Sequence, residues 1–176
     1  MNIIHKNIYN TLNMIIINKS GYLQYKDLKF ECAFGKAGIG NKKFEGDNVT
    51  PRGKFRIVKI YYRKDRLKKL SSKFILTKIM KNIGWCDDPK SRKYNQPIKL
   101  PTKYGHEILY RRDKIYDLIL VLNYNMKPTI KGKGSAIFIH VANKNFKKTA
   151  GCIALKKIDL RKLIKEIDKD VRIQIN

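Results

Sequence analysis

A mostly β fold, a β-rich α+β domain with one short C-terminal helix followed by a terminal strand, is what the sequence predicts. Three observations carry this. Short runs dense in β-branched and aromatic residues recur along the chain, separated by turns bearing Gly, Asn and Pro. Clear helical spacing is confined to Leu160, Leu163, Ile164 and Ile167. The chain then ends with Val171, Ile173 and Ile175 alternating with Arg172, Gln174 and Asn176, the period of a strand. A length of 176 residues and 43% hydrophobic content predict a single folded domain over residues 1–176 with a real core.

The elements follow in order. Residues 1–13 are weakly patterned and read as an irregular arm. Met14 to Asn18 and Tyr22 to Lys26 flank Lys19-Ser20-Gly21 as a hairpin, and Leu28 to Phe34 reads as the next strand. Gly35, Gly38 and Gly40 have the spacing G-x-x-G-x-G, which is not that of a dinucleotide loop, and no helical pattern follows; the stretch reads as a flexible loop. Glu45 to Gly53 is turn chemistry and feeds a strand over Lys54 to Tyr62. Arg63 to Lys81 reads as a basic loop with a helical turn. Gly84-Trp85-Cys86-Asp87-Asp88-Pro89 reads as a turn, with Trp85 as core or groove wall. Tyr94 to Pro97 reads as another loop. Ile115 to Tyr124 is a strand apolar enough to be buried on both faces. The helix is expected to start at an Asp159 N-cap, with Ile158 and Leu163 as a hydrophobic staple.

Forty basic and 14 acidic residues give a net charge of +26, which favours anionic partners. The excess of Lys, Ile, Asn and Tyr is equally what AT-rich coding produces. Cys32, Cys86 and Cys152 lack metal-site or redox spacing; Cys32 and Cys86 read as buried thiols, with a disulfide between them as the alternative. No apolar run reaches the roughly 20 residues of a membrane span. Met14 to Ile17, followed by Asn18-Lys19, is too short for a signal peptide.

The chemistry concentrates in Gly134 to Leu155. Ala136 to Val141 has the composition of a strand and carries His140 near its end. After a polar loop, Thr149-Ala150-Gly151 leads to Cys152 and a second apolar run, Ile153 to Leu155. Neighbouring strands lie about 5 Å apart, so an imidazole and a thiol at facing strand ends can meet and form a thiolate–imidazolium pair. Gly151 lets a substrate carbonyl approach the backbone, and N–H groups near residues 150 to 152 suit an oxyanion.

His140, Thr149, Gly151, Cys152 and the apolar Ile153 resemble the signature of the L,D-transpeptidase catalytic domains, also called YkuD-type domains. Separate segments agree in order. They are Glu45-Gly46-Asp47 with Thr50-Pro51-x-Gly53-x-Phe55, then Gly84 to Asp88, Tyr116-Asp117-Leu118, and Gly134 to His140. The resemblance implies a mixed β-sheet or sandwich with a substrate groove. It makes Cys152 the nucleophile and His140 the general base. The Val141 carbonyl orients the imidazole, the Gly151 and Cys152 amides hold the oxyanion, and Thr149 belongs to the same motif. The implied reaction is acyl transfer from a peptidoglycan stem peptide through a thioester, to an amine or to water, with no metal or cofactor. A cell-envelope or periplasmic location and an anionic cell-wall polymer as partner follow from the same resemblance. The missing signal peptide stands against that location.

Two positions depart from the family pattern: Ala150 stands where a second His is common, and Ala154 where Asn or Arg is common. They put donor specificity in question more than reaction type. Arg52 and Lys148 are candidate ligands for a substrate carboxylate, with neither preferred, and His5 and His106 have no assigned partner. The alternatives are an L,D-carboxypeptidase, a catalytically silent wall-binding domain, and a basic nucleic-acid-binding protein. The last has no recognisable nucleic-acid motif, so no nucleic-acid partner is expected.

Overall fold

The computed structural model describes residues 13–176. All but the last residue of the expected arm, together with His5, lies outside that range. The strands are β1 (Met14–Ile17), β2 (Tyr22–Tyr25), β3 (Leu28–Ala33), β4 (Ile39–Gly40), β5 (Thr50–Pro51), β6 (Gly53–Tyr62) and β7 (Leu76–Lys78). They continue with β8 (Ile83–Cys86), β9 (Pro97–Lys99), β10 (His106–Ile108), β11 (Leu118–Leu122), β12 (Phe138–Val141) and β13 (Ile153–Leu155). Helix α1 (Lys157–Glu166) and β14 (Arg172–Ile175) complete the chain.

The main sheet runs β11-β12-β13-β3-β2-β1-β14-β6-β7, and β11 also pairs with β6. The sheet therefore closes on itself as a barrel. Closure depends on the length of β6: Gly53 to Arg56 pair with β14, whereas Ile57 to Tyr62 pair with β11 across a register shift at Val121/Leu122. Each strand sends alternate residues inward. Ile15 and Ile17, Leu23 and Tyr25, Leu118, Leu120 and Leu122, Ile139 and Val141, Ile153 and Leu155 share one core with Leu160, Leu163 and Ile164 of α1.

The outward residues of β11 and β12 are also buried. Ile119, Val121 and Phe138 meet Tyr61, Trp85, Leu109 and Tyr116 in a second core. Above it lies a three-stranded sheet, β10-β8-β9. This outer layer explains why the β11 segment shows no apolar–polar alternation: it is covered on both faces. Trp85 packs edge-to-face on Phe138, with centroids 5.2 Å apart.

Several expectations need correction. The Gly84 to Cys86 part of the expected turn is strand β8, paired on both sides. Arg63 to Lys81 keeps one helical turn, in which the Arg66 and Leu67 N–H groups both bond the Arg63 carbonyl, and adds the unexpected β7, a parallel partner of β6. The long strand expected from Ile115 spans Leu118–Leu122, since the backbone before it is turned at Lys114, whose φ is +70°. Helix α1 starts at Lys157 with Lys156 at the N-cap and no side-chain cap; Asp159 sits inside the first turn. Ile158 is 75% exposed, so it makes no staple. The glycine-rich stretch is partly ordered: β4 pairs with β5, and a side chain at Gly35 would overlap the Asn48 carbonyl. Cys32 and Cys86 are buried and unlinked.

Candidate active site

His140 lies on β12 and Cys152 immediately precedes β13. These two strands are parallel neighbours in which His140 faces Ala154. Paired residues of a parallel ladder share a face, so Cys152, two residues before Ala154, lies on the same face as His140 and one diagonal step away. That is the outward face, beneath the second core, against which Cys152 packs. β-Branched residues inside the barrel (Ile139, Val141, Ile153) leave this face to His140 and Cys152.

His140 is buried, and its Nδ1 lies 2.9 Å from the Val141 carbonyl oxygen. A carbonyl only accepts, so Nδ1 carries the proton and Nε2 is the basic nitrogen. Tyr116 meets the imidazole edge-on at a centroid distance of 5.4 Å and donates its own hydroxyl hydrogen to Glu107 at 2.8 Å. The Cys152 thiol donates to the Ala136 carbonyl at 3.0 Å and accepts from the Phe138 N–H at 3.4 Å. Among the described residues Sγ makes no hydrogen bond to the His140 ring. Ala136 reaches the thiol from a left-handed conformation, φ +51°, rare for a residue with a side chain.

Burial dominates the electrostatics. It pushes the Cys152 thiol up to about 12, against a smaller downward pull from the Phe138 N–H. It pushes the His140 imidazole down to about 4, against a smaller upward pull from the Val141 carbonyl. Burial thus favours the neutral form of both groups and works against the thiolate–imidazolium pair that the sequence allows.

Thr149 and Gly151 form the approach to Cys152. Thr149 Oγ1 accepts the Gly151 N–H at 3.1 Å and donates to the Cys152 carbonyl at 2.6 Å. The Gly151 amide is therefore engaged and does not point into an open oxyanion site. The Cys152 N–H, by contrast, has no hydrogen-bond acceptor among the described residues. Gly151 has φ +138°, and a Cβ there would lie 3.0 Å from the Val49 carbonyl oxygen, so only glycine fits without displacing the loop.

Some positioning groups carry no signal of their role in the sequence. Thr50 is fully buried; its hydroxyl accepts from the Gly35 N–H and donates to the Gly151 carbonyl, both at 2.8 Å. Asn95 accepts from Trp85 Nε1 and the Ala136 N–H, each at 3.1 Å, and donates to the Tyr124 and Asn125 carbonyls. It thereby ties the outer layer to the backbone that meets the thiol. Tyr94 donates to Glu45 and accepts from the Gly134 N–H. Lys42 and Asp47 form a buried ion pair at 2.5 Å. Arg52 lines a separate groove of about 400 Å³ with Asn123 to Pro128, and Lys148 lines another with Tyr22 and Phe146. His106, on β10, bonds the Tyr104 carbonyl. Among the described residues no group of three His, Cys, Asp or Glu side chains is placed to hold a metal.

The family model for the L,D-transpeptidase catalytic domain, YkuD, matches residues 12–175. The chain belongs to the L,D-transpeptidase catalytic-domain family. Solved structures resembling this family member include an L,D-transpeptidase from Mycobacterium smegmatis. It is 10% identical with a TM-score of 0.45, covering 93% of this chain and 58% of that one. Bd1075 of Bdellovibrio bacteriovorus is 15% identical with a TM-score of 0.47, covering 94% of this chain and 48% of that one. L,D-transpeptidase 1 of Mycobacterium tuberculosis is 12% identical with a TM-score of 0.39, covering 92% and 60% respectively. The chain thus spans roughly half to three fifths of these proteins' lengths. No curated protein matches it in sequence. Among the described residues no helix is long and apolar enough to cross a membrane.

Proposed function

We propose that this L,D-transpeptidase family member is a cysteine enzyme acting on peptidoglycan stem peptides through a thioester. The observation that carries the proposal is that His140 on β12 and Cys152, just before the neighbouring β13, lie on one face, within a chain that matches the family over residues 12–175.

With both groups neutral at rest, His140 acts as a general base during attack rather than by storing a thiolate. Nε2 takes the thiol proton as Sγ bonds the scissile carbonyl carbon. The developing oxyanion is held by the Cys152 N–H. Collapse breaks the C–N bond, and the departing amine takes the proton from His140, leaving a thioester. An acceptor amine then attacks the thioester and yields its proton to His140, which returns it to sulfur. Water in place of the amine gives the carboxypeptidase outcome. The Val141 carbonyl keeps the imidazole in the required tautomer. Thr149 and Thr50 hold the Gly151-Cys152 backbone. The +26 charge suits an anionic wall at the cell envelope.

The test is turnover. Purified protein incubated with stem tetrapeptides releases the terminal residue, and an added amine diverts the product from hydrolysed tripeptide to cross-link. Cys152→Ala abolishes release, and His140→Ala lowers it by a factor of about 10² to 10⁴. Release that persists in Cys152→Ala contradicts the proposal. The resting bond from the thiol to Ala136, with alanine at positions 150 and 154, favours one second reading, a wall-binding domain without catalysis. Binding to stem peptides with no release by the wild type is its signature.

A further inference from the structure

Helix α1 presents a row of like charges away from the core. Lys157, Arg161 and Lys165 follow one another at a spacing of four, and Lys162 lies beside them. Neighbours of the same sign at that spacing destabilise a helix. With Lys69 of the basic loop they line a groove of about 680 Å³ between α1 and residues 69–71. Arg161 Nη2 donates to the Lys69 carbonyl at 2.8 Å, which ties the two walls together. Among the described residues no acidic side chain lines the groove; Asp159 and Glu166 of the same helix lie outside it. Lys157 reaches Asp117, but Lys69, Arg161, Lys162 and Lys165 form no ion pair among the described residues. AT-rich coding sets how many lysines the chain has, not the exclusion of acids from one groove.

An apolar side chain stands among these cations. Ile158, part of the groove lining, is 75% exposed. The pattern recurs on the other side of residues 64–71. There a groove of about 800 Å³ is lined by Lys64, Lys68, Lys78 and Lys81 together with the exposed Met80. Its acid, Asp65, is paired with Arg63.

We infer that the α1 groove docks on an anionic phospholipid surface, with its lysines and arginine at the phosphates and Ile158 at the acyl boundary. Clustered cations on a helix face are attracted to acidic lipid, and an apolar side chain adds a second, independent hold. A soluble polyanion would engage the cations but leave Ile158 in water. None of these residues belongs to the face that holds Cys152 and His140, and docking does not depend on the transpeptidase reading.

The experiment measures partitioning of the purified chain onto vesicles of phosphatidylglycerol mixed with phosphatidylcholine, and onto phosphatidylcholine alone. The wild type binds the mixed vesicles in preference, and added salt weakens that binding. Lys162→Gln together with Lys165→Gln lowers the partition coefficient about tenfold to thirtyfold. Lys127→Gln together with Lys133→Gln removes the same charge from the Arg52 groove and lowers it far less. Ile158→Asn lowers vesicle binding about tenfold but leaves retention on soluble polyphosphate unchanged. All five side chains are exposed, so these variants keep the fold. An equal loss from the two lysine pairs assigns the binding to net charge and overturns the docking face. Vesicle binding that is unchanged in Ile158→Asn overturns the membrane as its occupant, as does a wild type that ignores the mixed vesicles.

Discussion

Burial favours the neutral forms of His140 and Cys152, the two side chains proposed to react, and their pH behaviour follows from that. The unfolded imidazole takes a proton below about 6.5, whereas the folded His140 holds out until about 4. Between those values the unfolded state binds more protons, so acidification destabilises the fold. The contribution lost between pH 7 and pH 4.5 is about 2–3 kcal/mol. Urea titrations at the two pH values show this loss in the wild type and a correspondingly smaller one in His140→Gln. Cys152, raised to about 12, is a thiol throughout this range. Its iodoacetamide labelling, corrected for the Cys152→Ala background, rises about tenfold per pH unit from pH 7 to 10. A plateau below pH 7 contradicts a neutral resting pair. Slow alkylation at neutral pH consequently does not separate an active enzyme from a silent one. The residue pair itself was legible, because a His leaving a strand and a Gly-Cys ahead of another are local signals. Its protonation was not, because burial by Tyr116, Trp85 and Phe138 comes from segments 14 to 67 residues before Cys152 in sequence.

Among the elements, the outer layer and the loop before Cys152 carry the most specific demands. Asn95→Ala removes partners from Trp85 Nε1, the Ala136 N–H and two carbonyls at once. The expected cost is about 3 kcal/mol, read by denaturant unfolding, with turnover falling because Ala136 O no longer holds its place beside the thiol. Gly151→Ala forces a side chain into a left-handed backbone against the Val49 carbonyl. It costs about 1–3 kcal/mol and lowers turnover further than stability. The strands of the barrel were visible as alternating or continuous apolar runs, and their boundaries were mostly right. The outer layer was invisible as a sheet. Its strands are three or four residues long, too short for a period to emerge, and Gly84, Pro97 and the paired aspartates read as turn chemistry. The helix was found from its apolar stripe, but its start was misplaced, since Asp159 is a common capping residue that here lies one turn too late.

At the scale of the molecule, the barrel, the basic 63–73 loop and the helix are joined through one buried carboxylate. Asp117 is fully buried at the side chain, accepting from Arg66 and Lys157 at 2.8 Å each. Asp117→Ala strands two cations and costs about 3 kcal/mol, measured by denaturant unfolding at neutral pH. Closure of the sheet was not legible. It depends on β6 changing partners midway, from β14 to β11, and nothing in one strand's own sequence announces its neighbours. The net charge of +26 is likewise silent about fold. It sets the expectation of anionic surroundings, while the proposed chemistry rests on one thiol and one imidazole. The most direct measurement of that chemistry is the intact mass of the protein after brief exposure to a stem tetrapeptide. The account predicts an adduct equal to the donor without its terminal residue, mapped to Cys152, labile to hydroxylamine and missing in Cys152→Ala. A wild-type mass that stays unchanged, or an adduct that survives in Cys152→Ala, contradicts it.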